Sequence, residues 1–221
     1  MDLDFEPVFD AWQFLLGGVG ITLLLAAASA ACSFVAGGLV AMGRLYGPRW
    51  LRPVLVFYID TMRAIPVLVV LVWMYFAFPL VAGINVPPFL SALIALSLHL
   101  AAYVAEVLRA GVEGVRPGQT RAGLALGMSG AQVVREVVLP QAMVRMLPAF
   151  GSILSVTIKD TAIAAVIAVP ELMRRSDSVA ANTYHPVEVF TTAMAIYFIL
   201  IFPVTRGVDL LYRRLAPLGR S

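Results

Sequence analysis

A few ionisable and polar side chains interrupt the long apolar runs of this chain, and their spacing suits charge recognition. Lys159 and Asp160 stand alone between residues 146 and 170, a stretch otherwise long and apolar enough to cross a bilayer. A charge at membrane depth costs roughly 2.5–3.5 kcal/mol on insertion scales, so each should face a cavity or a partner. Successive helix positions point about 100° apart, so these two are poorly placed to neutralise each other. Ser152, Ser155 and Lys159 recur at i, i+3, i+7 and would share a helix face; His99, Tyr103 and Glu106, at i, i+4, i+7, would share one in an earlier run. Two readings fit these stripes. They could bind a helix bundle together through hydrogen bonds and ion pairs, or line a polar path whose acids and bases hold a small zwitterion. Bond-making chemistry has no foothold: the sequence has no G-x-x-x-x-G-K-[ST], H-E-x-x-H, G-x-S-x-G or cysteine pair. The expected chemistry is recognition and passage, with no catalytic residue, metal or cofactor on this chain.

The elements that must position these residues follow from composition. With 61% hydrophobic and 13% charged residues and a mean hydropathy of +0.90, the chain is an integral membrane protein. The lone Cys32 excludes an intrachain disulfide. A net charge of +3 without a basic run gives no case for nucleic acid. The opening MDLDFEPVFD is acidic where a signal peptide is basic. An all-α fold of five transmembrane helices is expected, at about 14–43, 60–80, 88–109, 145–169 and 187–208. Asp60 and Arg63, just before Pro66, blur the start of the second. Arg44, Arg49 and Arg52, then Arg116, Arg121 and Arg135, then Arg213, Arg214 and Arg220 mark the cytoplasmic side; only Arg174 and Arg175 run against the trend. The acidic N-terminus is therefore outside and the C-terminus cytoplasmic. Trp12, Trp50, Tyr58 and Tyr212 read as interface anchors, and Gly17, Gly18, Gly20, Gly37 and Gly38 as points of close helix packing. Pro170-Glu171 should start a short outer helix.

The cytoplasmic loop at about 116–141 is the most punctuated part of the chain. Pro117-Gly118 signals a turn, and a short helix near 119–126 should stop at Gly127. Ser129 and Gln132 have capping-box spacing, so a second short helix follows, with Pro140 expected to end it. Such a unit is either an amphipathic connector in the headgroups or a rigid docking element for a cytoplasmic partner.

RAGLALGMSGAQVVREVVLP (121–140) resembles the cytoplasmic EAA loop of ABC-importer membrane subunits. AYVAEVLRAG (102–111), VRPGQ (115–119), LPQA (139–142) and IKDTAIAAVIAVPEL (158–172) resemble, in order, the polar amino-acid permease family of histidine, glutamine and arginine type; MRAIPVLVVL (62–71) is a looser match. The resemblance implies a type I importer permease fold in the cell inner membrane. It also implies alternating access, with ATP and Mg held by two cytoplasmic ATP-binding subunits. Further partners would be a second permease subunit, identical or sibling, an extracytoplasmic solute-binding protein, and membrane lipid. Arg121, Ala122 and Gly123 stand at the EAA start, with Gly127, Ser129, Leu139 and Pro140 completing the coupling element. The family's Glu is Arg121 here, its second Ala is Gly123, and its usual Arg-Gly-Gly reads Arg109-Ala110-Gly111. The substrate path implied by the stripes comprises Asp160, Lys159, Glu106, His99, Tyr103 and Ser155. A secondary transporter or channel working without ATP is the competing class, against which stands the absence of any internal repeat.

Overall fold

Proline and glycine positions divide the chain into its helices. The computed structural model describes residues 3–216; Asp2 and Arg220, two of the charges read for orientation, lie outside them. The chain opens with the short α1 (Glu6–Asp10), followed by α2 (Trp12–Tyr46), α3 (Leu51–Ala64), α4 (Val67–Ala82) and α5 (Pro88–Glu113). The second half comprises α6 (Pro117–Ala125), α7 (Gly130–Ile167), α8 (Leu172–Thr183) and α9 (Pro186–Leu215). By length and composition α2, α5, α7 and α9 can each cross a membrane, and α3 with α4 gives a fifth, broken span bent by 105°.

The break refines the expected span at 60–80. Pro66 has no N–H to donate and holds Ile65 extended (φ −87°, ψ 133°), so α3 ends at Ala64. Asp60 and Arg63 thus belong to α3, whereas α4, which carries no charge, begins at Val67. At 1.5 Å per residue α4 is only about 24 Å long, and it contains a π turn at Trp73–Ala77.

A second difference concerns Pro140, which does not end the helix that starts after Ser129. That helix runs on as α7, first through a π turn at Val133–Val138, then as regular α-helix from Leu139 to Asp160. The wider π turn accommodates the proline ring, which would otherwise strike the carbonyl four residues back. The helix that holds the expected span at 145–169 therefore grows directly out of the cytoplasmic element. At its other end the α-helix stops at Asp160, tightens into a 3₁₀ segment at Thr161–Ile167 and closes on Ala168 at φ 61°. Asp160 thus sits at a change of helical geometry, not in mid-helix.

Small residues explain the packing. Ala92, Ala95, Ala101, Ala102 and Ala105 on α5 have 0% exposure and let α2 approach closely. At Gly37 an added Cβ would lie 2.7 Å from the Ala101 carbonyl oxygen. Gly17 and Gly18 make room for α8, whereas Gly20 and Gly38 face open space. Trp12 and Trp50 are exposed, as anchors should be, but the Tyr58 hydroxyl donates 2.6 Å to the Leu98 carbonyl and so ties α3 to α5.

The outer helix α8 begins where Pro170-Glu171 foretold it, and Glu171 does more than favour a dipole. It is the N-cap: its carboxylate accepts from Met173 N–H (2.9 Å) and Arg174 N–H (2.6 Å). It also accepts from the hydroxyls of Tyr197 on α9 (2.9 Å) and Thr22 on α2 (3.5 Å). With 0% exposure, this one side chain joins three helices. Burial pushes its carboxyl above the usual range, against the pull of those four donors.

Candidate functional site

Two sets of residues carry the function-bearing geometry, and α7 connects them. The first is the cytoplasmic element. At the end of α6, Gly127 takes φ +80°, Met128 N–H donates to the Gly123 carbonyl and Gly127 N–H to that of Leu124. This is a Schellman closure, which only a residue tolerant of positive φ completes without strain. The chain then restarts at once. Ser129 N–H donates 2.8 Å to Gln132 Oε1 while Gln132 N–H donates 3.3 Å to Ser129 Oγ, a complete capping box.

Gly123 and Val133 lock the two short helices together. Val133 is 1% exposed, and a Cβ at position 123 would stand 2.9 Å from its Cγ2. Glycine in place of the family's alanine thus has a packing reason. Facing outward are Leu126, 83% exposed, with Leu124, Leu139, Arg121 and Ala122 also exposed. Arg135 and Glu136 lie 3.6 Å apart and well solvated, which contributes little to stability. The result is a fixed knob with an apolar tip and a basic flank.

The second set lies at membrane depth. Ser155 is buried, donates to the Gly151 carbonyl (3.0 Å) and meets Thr205 Oγ1 of α9 at 3.2 Å. Ser152, Ser155 and Lys159 line a cavity of about 270 Å³ with Thr205 and Asp209 of α9. The sequence stripe was thus real, but its other wall was missed. Thr205 and Asp209, at i, i+4 on α9, form a polar stripe of their own that the spacing within α7 does not reach. Lys159 and Asp160 have no ion-pair partner among the described residues, and Asp160 does not line that cavity.

The α5 residues separate. His99 is 6% exposed with its ring 5.3 Å from that of Tyr103, and its Nδ1 has no partner among the described residues. The Arg63 guanidinium lies 5.7 Å from the Tyr103 centroid. Glu106 instead pairs with Arg44 at 2.8 Å and with Arg109, which also pairs with Glu113. Glu106 is therefore engaged in an ion-pair chain that fastens α2 to α5, as the bundle-binding reading of these stripes requires.

A broken-span helical bundle with a capped helical knob on one long helix is the architecture of a multi-pass membrane protein. The family described as binding-protein-dependent transport system inner membrane component matches residues 33–218, and the chain belongs to it. The chain is 33% identical over 205 residues to the arginine transport system permease protein ArtQ of Bacillus subtilis, covering 93% of this chain and 94% of that one. It is 32% identical over 216 residues to the glutamine transport system permease protein GlnP of Escherichia coli K12, covering 97% of each. Over 230 residues it is 36% identical to the octopine transport system permease protein OccM of Rhizobium radiobacter, with coverage of 99% and 94%. Among solved structures, an amino acid ABC transporter crystallised with histidines matches at TM-score 0.91 and 32% identity over 97% of this chain and 100% of that one. The MetNI methionine transporter in an inward-facing form, at TM-score 0.78 and 22% identity, covering 95% and 98%, shares the fold.

Proposed function

We propose that this chain moves polar amino acids, or related small zwitterions, into the cell as the permease subunit of an ABC importer. The observation that carries the reading is the continuity of α7, which starts in the capped cytoplasmic knob at Gly130 and runs unbroken, through a π turn at Val133–Val138 and then as regular α-helix, as far as Asp160. A push on the knob is thereby delivered to the charges at membrane depth without an intervening loop. The names of its relatives support the substrate class: arginine, glutamine and octopine each carry both an acidic and a basic or amide group.

In this mechanism a loaded solute-binding protein docks on the outer face, and two ATP-binding subunits, which hold ATP and Mg, close beneath the knob. Leu124, Leu126 and Leu139 seat in their surface, with Arg121, Ala122, Gly123, Gly127, Ser129 and Pro140 fixing the shape they meet. The spans then rock so that Lys159, Asp160 and Ser155, with His99 and Tyr103, change the side they face. Asp160→Asn tests the path in vesicles holding the assembled complex. The amide keeps the shape but forfeits a charge-assisted contact of about 1.5–3 kcal/mol, so uptake should fall by about tenfold or more with normal assembly. Unchanged uptake kinetics at normal protein level would assign Asp160 to packing.

A further inference from the structure

Trp50 stands apart among the three tryptophans of this chain. Trp12 lies two positions from an acid, Asp10, and Trp73 lies within the uncharged α4, whereas Trp50 is flanked by Arg49 and Arg52. Trp50, Val54 and Phe57 recur at i, i+4, i+7 and so share one face at the start of α3, where they are 72%, 57% and 73% exposed. The opposite face is committed to the bundle: Ile59 is fully buried, Leu55 lies against Gly43, and Tyr58 bonds the Leu98 carbonyl. Arg49 and Arg52 are exposed and make no ion pair among the described residues. Arg44, just before them, is by contrast held by Glu106 at 2.8 Å. The next acid along α3, Asp60, comes eight positions after Arg52, about 12 Å along the axis. Two free guanidinium groups therefore sit at the end of an exposed apolar strip, on the side marked cytoplasmic by its arginines.

We propose that this end of α3 holds an anionic phospholipid of the cytoplasmic leaflet, its phosphate against Arg49 and Arg52 and its acyl chains along Val54 and Phe57. A zwitterionic lipid covers the apolar strip equally well, but it brings its own cation and leaves the two arginines without a net counter-charge. The planar guanidinium fork matches phosphate oxygens, and an indole at headgroup level keeps its ring in the acyl boundary and its N–H in the polar layer. A single base near an anionic surface gains roughly fivefold in affinity, so the pair should favour anionic over zwitterionic lipid by about twenty-five-fold at most. A phosphate free in solution has no acyl chain for the strip that begins at Trp50. The inference is independent of which solute the chain carries and of what drives it.

Trp50 is its own reporter. The complete complex, carrying Trp12→Phe and Trp73→Phe, should be placed in phosphatidylcholine bilayers doped with either brominated phosphatidylglycerol or brominated phosphatidylcholine. The fluorescence lost in Trp50→Phe defines the Trp50 signal. Brominated phosphatidylglycerol should quench it at about a tenfold lower membrane fraction than brominated phosphatidylcholine. Arg49→Gln with Arg52→Gln should level the two lipids, and Arg49→Lys with Arg52→Lys should keep most of the difference. Arg213→Gln with Arg214→Gln, at the end of α9, should keep all of it. Equal quenching by both lipids in the native arginine background would overturn the proposal without recourse to any arginine variant. So would quenching by neither lipid, which would mean that protein covers this face. An equal loss in the Arg213 and Arg214 pair would reduce the site to diffuse surface charge. A difference erased by glycerol phosphate in solution would make it a free-phosphate site, and either result would overturn the assignment to lipid.

Discussion

Glu171 shows how much one side chain can hold. Removing it in Glu171→Ala deletes an N-cap, about 1 kcal/mol, and leaves the Tyr197 hydroxyl without its acceptor, about 1–3 kcal/mol more. Thermal unfolding in detergent should show a loss of about 2–4 kcal/mol. Glu171→Gln keeps an oxygen for the two backbone donors and carries no charge into a site where burial already disfavours one, so its cost should stay under about 1 kcal/mol. Because the folded carboxyl titrates above its unfolded value, the stability it contributes is fully present below the unfolded pKa. It is lost as pH rises through the folded one. The wild type should therefore lose ground to Glu171→Gln over that interval, and unfolding curves of both across pH measure it. The role of Glu171 in starting a helix was legible from Pro170-Glu171. Its links to Thr22 and Tyr197 were not, because those partners are 149 and 26 positions away and only the packed bundle brings them together. The helix-ending role of Gly127 was legible, since a glycine between two short helical patterns has one strong physical reading. No atom would crowd a Cβ there, so the cost of Gly127→Val is its φ of +80° alone, about 1–2 kcal/mol, with Gly127→Asn milder. Binding-protein-stimulated ATP turnover should fall in the valine variant and be largely kept in the asparagine one.

At the scale of elements, the capping box of Ser129 and Gln132 starts the helix that becomes the fourth span. Ser129→Ala should weaken that start by about 1 kcal/mol, seen as faster amide exchange at 130–134 with α5 unaffected; a uniform rise across the bundle would contradict so local a role. Charge gaps in the sequence located the apolar runs, but they misjudged what proline does in two opposite ways. At Pro66 the missing N–H and the extended Ile65 do break the chain, turning the expected second span into two helices at 105°. At Pro140 the same chemistry is absorbed by a π turn and the helix continues. Nothing in the local sequence distinguishes these outcomes, and residues beside both prolines, Leu71 as well as Val133 and Val138, pack into the core. The polar stripe on α7 was visible from its spacing, whereas Thr205 and Asp209 became its partners only through the pairing of α7 with α9.

In the proposed mechanism the whole molecule works as a lever whose short arm is the capped knob and whose long arm is α7. With an odd number of spans, a reporter at the C-terminus should be cytoplasmic and one at the N-terminus extracytoplasmic; both ends on one side would remove the fifth span. In the proposed mechanism partner-bound ATP, acting on the knob, moves solute past Lys159 and Asp160. Uptake of a labelled polar amino acid should be followed in vesicles carrying the complete assembly with its solute-binding protein, under ATP depletion and, separately, under collapse of the ion gradients. Uptake should stop when ATP is withdrawn, persist when the gradients are dissipated, and be lost in Gly127→Val despite normal assembly. Uptake that survives ATP withdrawal but stops with the gradients, and that Gly127→Val leaves untouched, would contradict the claim and make the chain a gradient-driven transporter.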